Sequence, residues 1–406
     1  MIHATAKPSG AHPAAAAKLP MNIRLETVPR SAALTALAIW GFVWVGGAFG
    51  SLRASASSPS QLELIRPSSD GTHFVHASSG NRFTPWGFNY DHDGGGRLLE
   101  DYWTGEWATV ESDFQEMKDL GANLVRIHLQ LGKFIKNPRE PDTAALGQLA
   151  RLVRLAERTG LYLDLTGLAC YHKQDVPPWY DPLSEAERGE VHAICWAAVA
   201  EVCAASPAVF CYDLMNEPIL PGGKKPETDW LAGSLAGKYF VQRIALDLAG
   251  RTREQVAKAW IAKLVAAIRQ RDSRHMITVG AIPWNMTFPG ARPLFHAPEV
   301  GGRLDFVSVH FYPKKGEVAK ALDALAAYDL GKPILIEEMF PLKCSLEELG
   351  AFIDGSRGLA DGWVGFYWGR TIEDYARGEP SVTGVITRAW LEYFKARAPE
   401  ITGAPP

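Results

Sequence analysis

The chain has 406 residues, a formal net charge of −3 and a hydrophobic content of 47%, values typical of a globular protein that buries an extended core. It has no excess of Lys and Arg and no acidic tail, which argues against a nucleic-acid partner. The five cysteines form no CxxC pair and are odd in number. They therefore indicate neither a zinc site nor a complete disulfide framework.

The N-terminal region has the layout of an export signal. Residues 32–49 are almost uninterrupted apolar residues, preceded by Arg24 and Arg30 and followed by small residues after Arg53. Residues 1–56 are therefore predicted to be an extension with a signal, and the folded part is predicted to be secreted or periplasmic. The apolar segment is at the lower limit for a membrane span, so the alternative is an uncleaved anchor that holds the folded part outside the cytoplasm.

The remaining chain divides into a linker and one folded domain. Residues 57–72 are predicted to be the linker, and residues 73–400 the domain. A short alternating stretch at residues 74–76 and a turn at residues 78–80 predict a small hairpin before the main fold. Whether translation starts at the first methionine or at Met21 stays open.

Apolar runs then alternate with amphipathic segments along the whole domain. Alternating strands and helices imply right-handed crossovers and a parallel sheet, and eight repeats fit a closed (β/α)8 TIM barrel. The predicted strands are residues 83–89, 123–128, 161–166, 209–215, 276–280, 306–310, 334–337 and 363–367.

Capping signals predict where several helices begin and end. Gly160 is expected to end one helix, another is expected to stop at Ser206 before Pro207, and the last is predicted over residues 387–395. Three capping-box pairs are predicted to open helices: Ser184 with Glu187, Thr252 with Gln255, and Ser345 with Glu348.

A glutamate follows the fourth predicted strand. Glu217 lies in the triplet Asn216-Glu217-Pro218, directly after the apolar run 208–215. A carboxylate at the tip of a buried strand is costly unless it takes part in chemistry. Barrel active sites gather at the C-terminal ends of the strands, which is where the barrel fold puts Glu217.

A second acidic position follows the seventh predicted strand. The run 333–336 ends in Glu337 and Glu338. Adjacent residues of a strand face opposite sides, so only one of the two is expected to reach the site. Together with Glu217, that residue would form the pair of acids that hydrolysis of a glycosidic bond requires: one protonates the leaving oxygen and the other attacks or activates water. Two exposed acids in ordinary surface ion pairs are the alternative.

Further side chains at strand ends fit the same rim. Arg126 could keep one carboxylate ionised, and the alternation of the sixth strand puts His310 and Tyr312 on one side, where the tyrosine could donate to the same carboxylate. Trp368 at the end of the eighth strand could form a floor for a sugar ring. A structural ion pair, a core histidine and packing at the barrel mouth are the alternative roles of these residues.

Loop aromatics complete the candidate binding residues. Trp179 lies in the loop after the third strand and Trp284 in the loop after the fifth. Their flat faces suit stacking on sugar rings, although core packing is equally consistent with the pattern.

The ordered set of motifs resembles the cellulase-like family 5 glycoside hydrolases, in the clan of retaining barrel enzymes. The matching residues run from 86–89 to Trp368 and so cover essentially the whole barrel. The resemblance implies Glu217 as the acid/base, Asn216 as a hydrogen-bond partner of the sugar 2-hydroxyl, and Glu338 as the nucleophile. It also implies that four other residues match family positions: Arg126, His310, Tyr312 and Trp368.

The resemblance implies a retaining β-glycosidase that needs no cofactor and no metal and acts on a β-linked glucan or mannan. Besides binding a carbohydrate substrate, the protein could attach to a membrane through residues 32–49. Two alternatives remain: a non-catalytic barrel that binds glycan, and an exo-acting or transglycosylating enzyme on the same framework.

Two departures from the family pattern leave the substrate open. Met339 and Phe340 follow the predicted nucleophile, where relatives usually have an aromatic residue and a glycine. Residues 164–167 lack the histidine that relatives often carry near the end of the third strand. His172 in the following loop could substitute for it.

Overall fold

The computed structural model describes residues 62–379 and 381–403. Their centre is a sheet of parallel strands that closes on itself as a (β/α)8 barrel. The barrel strands are β1 (Trp86–Tyr90), β2 (Leu124–Gln130), β3 (Tyr162–Ala169), β4 (Val209–Asp213), β5 (Met276–Thr278 and Gly280–Ala281), β6 (Val307–His310), β7 (Ile334–Glu338) and β8 (Gly362–Phe366). All eight predicted strands are therefore present, each within a few residues of its expected bounds.

The fifth strand closes the barrel. Its first segment pairs in parallel with β4, its second segment pairs in parallel with β6, and Val279 joins the two. At the opposite side β8 pairs in parallel with β1. Because every strand has the same direction, all C-terminal ends meet at one rim of the barrel.

Each barrel strand is followed by a helix. The helices are α1 (Trp107–Asp119), α2 (Thr143–Thr159), α3 (Glu185–Cys203), α4 (Arg253–Arg269), α5 (Pro298–Gly301), α6 (Val318–Ala326), α7 (Leu346–Ser356) and α8 (Val382–Thr402). Short helices at Leu99–Tyr102, Leu131–Phe134 and Ile372–Arg377 lie in the loops, as do the 3-10 turns Lys173–Asp175 and Trp284–Met286.

The predicted caps are confirmed. Ser184, Thr252 and Ser345 each accept a hydrogen bond from the backbone of the third helical residue, and Gly160 ends α2 in the left-handed conformation with φ 70°. The helix expected to stop at Ser206 ends earlier, at Cys203, and the last helix is longer than predicted at both ends.

The hairpin closes the N-terminal end of the barrel. It pairs Ile65–Pro67 with Phe74–His76 in antiparallel fashion, so its first strand lies within the segment predicted as a linker. Ile65 and Phe74 are almost fully buried in a cluster with residues from the starts of the barrel strands, among them Phe210 and Phe306. Burial of these apolar side chains accounts for the order of this segment.

Four of the five cysteines are buried and none forms a disulfide. The predicted export signal or anchor at residues 32–49 lies outside the described residues. Within residues 62–379 and 381–403, no helix has both the length and the apolar character that a membrane crossing requires.

Candidate active site

Glu217 stands just beyond β4 in a backbone conformation that is uncommon for a residue with a side chain. Its φ is +47°, in the left-handed region. Its amide donates to the Gly280 carbonyl at 2.9 Å, and Pro218 follows with a fixed ring. Strain of this kind persists where the surrounding structure fixes it and is concentrated at functional sites. The side chain keeps 17% of its surface exposed at the barrel mouth.

Glu338 ends β7 and faces the same mouth. Its carboxylate accepts a hydrogen bond from Arg126 Nη1 at 2.8 Å and one from the Tyr312 hydroxyl at 2.6 Å. Two strong donors fix the orientation of the carboxylate. The sequence-based roles of Arg126 and Tyr312 as partners of this acid agree with these contacts.

The expectation that the adjacent glutamates face opposite sides is wrong, although only Glu338 reaches the mouth. The register between β6 and β7 shifts at Val309 and His310, so that His310 pairs with Glu338 and Glu337 has no partner residue in the ladder. This irregularity bends the strand. Glu338 then reaches the mouth, while Glu337 contacts Arg126 and His310 from below, fully buried.

The two candidate catalytic carboxylates face each other. One oxygen of Glu217, one oxygen of Glu338 and a ring nitrogen of His310 lie within 4.8 Å of one another. Three such donors could hold a metal ion in principle. His310 opposes that use, because its pKa is raised and a protonated ring nitrogen has no lone pair for a metal.

His310 bridges the acids of the site. Its Nδ1 lies 3.0 Å from Glu217 Oε1 and 3.5 Å from Glu338 Oε2, and its Nε2 lies 3.2 Å from Glu337 Oε2. Burial alone would lower the pKa of His310. The charge of Glu338 and the hydrogen bonds to Glu217 and Glu337 outweigh burial and raise the pKa to about 10. The imidazole is therefore charged at neutral pH and can donate from both nitrogens.

Arg126 holds the floor of the site. It is fully buried, and besides Glu338 it donates to Asn89 Oδ1 at 2.9 Å, Asp213 Oδ2 at 2.8 Å and Asn216 Oδ1 at 2.9 Å. The Asn216 amide in turn donates to the Phe240 carbonyl at 2.9 Å. A planar guanidinium bonded to several acceptors is rigid. Arg126 therefore fixes the positions of Asn89 on β1, Asp213 on β4 and Glu338 on β7 relative to one another.

A buried pair of carboxyl groups lies beneath Arg126. Apart from a proton shared within the pair, neither oxygen of Asp164 nor Oε1 of Glu337 has a hydrogen-bond partner among the described residues. Burial and the charge of Glu337 raise the pKa of Asp164 far above its ordinary value, so Asp164 carries a proton that it can donate to Glu337. Burial opposes ionisation of Glu337, but Arg126 and His310 lower its pKa to about 2. One acid of the pair is thus neutral and the other charged.

Trp368 lies at the mouth, half-buried. Its indole nitrogen donates to Asp91 at 3.0 Å, and its ring stacks on His92 with centroids 5.6 Å apart and planes within 3°. Phe340 packs against it at 5.2 Å. The departure from the family pattern after Glu338 therefore supplies a side chain that supports Trp368.

The two loop tryptophans differ in placement. Trp284 is 38% exposed and lines a cavity of about 710 Å³, which is also lined by Pro218, the residue after Glu217. Trp179 packs edge-on against buried Tyr180, with centroids 5.9 Å apart. Within the part of the chain that the structure describes, no contact joins Trp179 to the carboxylates, and its binding role stays a prediction.

Other residues of the site carried weaker sequence signals. Asp213 was not expected, although it ends β4 three residues before Asn216. His172, the suggested substitute for the family histidine, has its Nδ1 3.5 Å from Asp175 Oδ2. His128 instead lies at the site, with its Nε2 3.2 Å from Asn89 Oδ1. Its parity on β2 was the signal that it could face inward.

Comparison with known proteins fits this geometry. The chain matches the family model described as cellulase, glycosyl hydrolase family 5, over residues 78–340, which is more than half of its length. The chain belongs to glycosyl hydrolase family 5. The resemblance inferred from the sequence motifs is thereby confirmed, and the chain is a glycosidase.

Solved structures share the barrel of this family 5 glycosidase at low identity. The exo-β-1,4-mannosidase Op5Man5 from Opitutaceae bacterium strain TAV5 is 19% identical, with a TM-score of 0.58 over 82% of this chain and 62% of that chain. The β-mannanase from the blue mussel Mytilus edulis is 16% identical, with a TM-score of 0.56 over 84% of this chain and 97% of that one. The β-1,4-D-mannanase from Cryptopygus antarcticus is 15% identical, with a TM-score of 0.56 over 83% and 94%.

These likenesses, all below 25% identity, show the fold alone. This chain spans 62% of the length of the Opitutaceae mannosidase, less than two thirds. A comparison with curated proteins found no match to this chain.

Proposed function

We propose that this family 5 glycosidase hydrolyses β-linked poly- or oligosaccharides of the glucan or mannan type with retention of configuration. The observation that carries the proposal is the approach of Glu217 and Glu338 to within 4.8 Å. Retaining glycosidases hold their two carboxyl groups about 5 Å apart, whereas inverting enzymes separate them by roughly 6.5–9.5 Å to admit a water molecule.

In the first step Glu338 is the nucleophile. Its oxygen bonds to the anomeric carbon, the bond from that carbon to the leaving oxygen breaks, and Glu217 transfers a proton to the leaving oxygen. The second half of the reaction reverses the proton transfer. A water molecule gives its proton to Glu217 while its oxygen bonds to the anomeric carbon, and the ester bond to Glu338 breaks.

The surroundings of the two acids support these roles. Glu338 needs to be ionised to attack, and both Arg126 and Tyr312 donate to it. Glu337 is the other acid on β7, but it is fully buried beneath the site and has no access to a sugar. Glu217 exchanges protons with the substrate and with water, which suits its partly exposed position at the mouth.

Arg126 and Asn216 are proposed to align the sugar. The Asn216 amide nitrogen has a second hydrogen besides the one donated to Phe240, and that hydrogen is available for the sugar 2-hydroxyl. Trp368 is proposed to contact the ring at the end of β8. A mannan-type substrate is favoured over a glucan because the similar structures are mannosidases and mannanases by their names.

Export of the enzyme is also proposed, from the apolar residues 32–49 with their positive flank and small-residue pattern. A polysaccharide substrate outside the cell would require it. Cleavage of the precursor in a secreting host, followed by N-terminal sequencing, tests the proposal; an intact N-terminus in the membrane fraction would support an anchor instead.

The stereochemical outcome tests the catalytic proposal. Proton NMR of a fresh digest of an aryl β-mannoside or β-glucoside should show the β-anomer first, with the α-anomer appearing only by mutarotation. Azide should restore turnover of an activated aryl substrate by Glu217→Ala and give a β-glycosyl azide. Initial release of the α-anomer would contradict the mechanism, and binding without hydrolysis across a panel of glucans and mannans would favour a non-catalytic barrel.

A further inference from the structure

The barrel mouth is enclosed on one side by loops that contact one another. The loops after β8 and β1 meet first. Trp368 stacks on His92 and binds Asp91 through its indole nitrogen. Farther out, Arg370 crosses Gly94 so closely that a Cβ at Gly94 would lie 2.6 Å from the arginine Nε. These contacts join the two loops at that point.

The loops after β1, β3 and β4 form a second continuous contact. Leu98, Ala169, Tyr171 and Phe240 make one apolar cluster, in which the Tyr171 and Phe240 rings are 4.7 Å apart in an edge-on arrangement. The Tyr239 amide also donates to the Tyr171 carbonyl at 2.9 Å. We call this series of contacts between the loops after β8, β1, β3 and β4 the wall.

The end of β2 is attached beneath this wall. The Gln130 amide donates to Glu100 Oε1 of the β1 loop at 2.8 Å, and Gln130 Oε1 accepts from the Tyr171 amide at 3.0 Å. Lys238 reaches across to the same β1 loop, where its Nζ would lie 3.2 Å from a Cβ at Gly96. The wall is therefore connected by hydrogen bonds as well as by apolar packing.

The opposite side of the mouth is open. The connections after β6 and β7 comprise only residues 311–317 and 339–345. The loops after β4 and β5 line the 710 Å³ cavity, which carries two exposed aromatic rings, Trp284 at 38% and Phe288 at 58% exposure. Exposed aromatics in a cleft favour contact with the faces of sugars.

We propose that the enzyme is exo-acting and removes a single sugar from the non-reducing end of its substrate. Glu217 protonates the leaving oxygen, and the next residue, Pro218, lines the cavity, so the leaving part of the chain is placed toward that cavity. The sugar attacked by Glu338 then faces the wall. The Phe240 carbonyl accepts a hydrogen bond from Asn216, so the wall stands directly beside the residue proposed to bind the 2-hydroxyl, where a further sugar would have to lie. This inference rests on the proposed glycosidase function.

The product pattern tests the inference separately from the function. β-Mannan and β-glucan pentasaccharides labelled at the reducing end should lose one sugar at a time, so that the labelled tetrasaccharide and free monosaccharide appear first by mass spectrometry. A pentasaccharide capped at its non-reducing end should resist cleavage. Early labelled di- and trisaccharides, or ready cleavage of the capped substrate, would overturn exo action while leaving the glycosidase function intact. Absence of hydrolysis of every substrate would refute both.

A variant of the wall sharpens the test. Phe240→Ala removes the ring that packs on Tyr171, and should raise kcat/KM for the capped pentasaccharide by about tenfold or more. Phe288→Ala, an equally large truncation on the open side, is the matched control and should not produce that gain. Circular dichroism and thermal unfolding check that both variants fold. A folded Phe240→Ala protein that still rejects the capped substrate would refute the wall as the barrier.

Discussion

Glu337 should contribute to the protonation of His310, beside the larger effect of the charge of Glu338. Glu337→Gln keeps the shape of the side chain and removes a negative charge whose oxygen lies 3.2 Å from His310 Nε2. At that distance and an effective dielectric constant near 20, two unit charges interact by about 5 kcal/mol, and the glutamine oxygen recovers part of that by accepting the same hydrogen bond. We expect the pKa of His310 to fall below its wild-type value of about 10 in the variant.

The assay is an NMR titration of the imidazole signals of 13C-labelled histidine, with the His310 signal assigned from its absence in His310→Gln. Asp164→Asn is the matched control from the same buried pair. Because Asp164 is neutral, the exchange removes no charge, and the asparagine amide can still donate to Glu337. Its His310 should therefore titrate near the wild-type value. Equal displacement of the pKa of His310 in both variants, or none in Glu337→Gln, would refute the assignment of the charge to Glu337.

Three further perturbations probe the site. Gly280→Ala would put a Cβ 2.4 Å from Glu337 Oε2 and 2.7 Å from His310 Nε2, so kcat should fall about a hundredfold. Gly147→Ala, in α2 with no atom near its Cβ position, is the control and should leave kcat unchanged. Equal kcat in the two variants would contradict the tight packing around Gly280. The raised pKa of His310 means that its protonated form stabilises the fold, fully below pH 6.5, and that this stabilisation is lost as pH rises through about 10. Over that range the free energy of unfolding measured with urea should fall by on the order of 4 kcal/mol more in the wild type than in His310→Gln. Parallel curves for the two proteins would contradict this. Trp284→Ala should lower kcat/KM about fivefold for a pentasaccharide and little for an aryl glycoside, and an equal loss on both would exclude stacking in the cavity.

The barrel could be predicted from the sequence because its signals are local. Each strand is a short apolar run, and the helices after β3, β4 and β7 open with capping boxes whose residues lie three positions apart. The hairpin was predicted only in part. Ile65 belongs to a strand because it packs against the starts of distant barrel strands, and such a contact leaves no trace in the neighbouring residues.

The site residues could be predicted where the alternation along a strand and a sequence motif both placed the same residue at the barrel rim. Glu217, Glu338, Arg126 and His310 all come together as that reasoning expects. Strand parity put Glu337 and Glu338 on opposite faces. That failed because the shift in register between β6 and β7 depends on two strands together and cannot be predicted from the sequence of one strand.

Other features of the site arise only in three dimensions. The proton on Asp164 depends on a carboxylate that is 173 positions away in the chain. The enclosing wall depends on contacts between loops after four different strands. No periodicity or local spacing encodes either of these.

Trapping of the covalent intermediate tests the central claim most directly. A 2-deoxy-2-fluoro glycoside with a good leaving group should inactivate the enzyme, and peptide mass spectrometry should locate a single fluoroglycosyl ester on Glu338. Attachment of the sugar to Glu337, or turnover with inversion and no trapped ester, would contradict the account of two facing glutamates with Glu338 as the nucleophile.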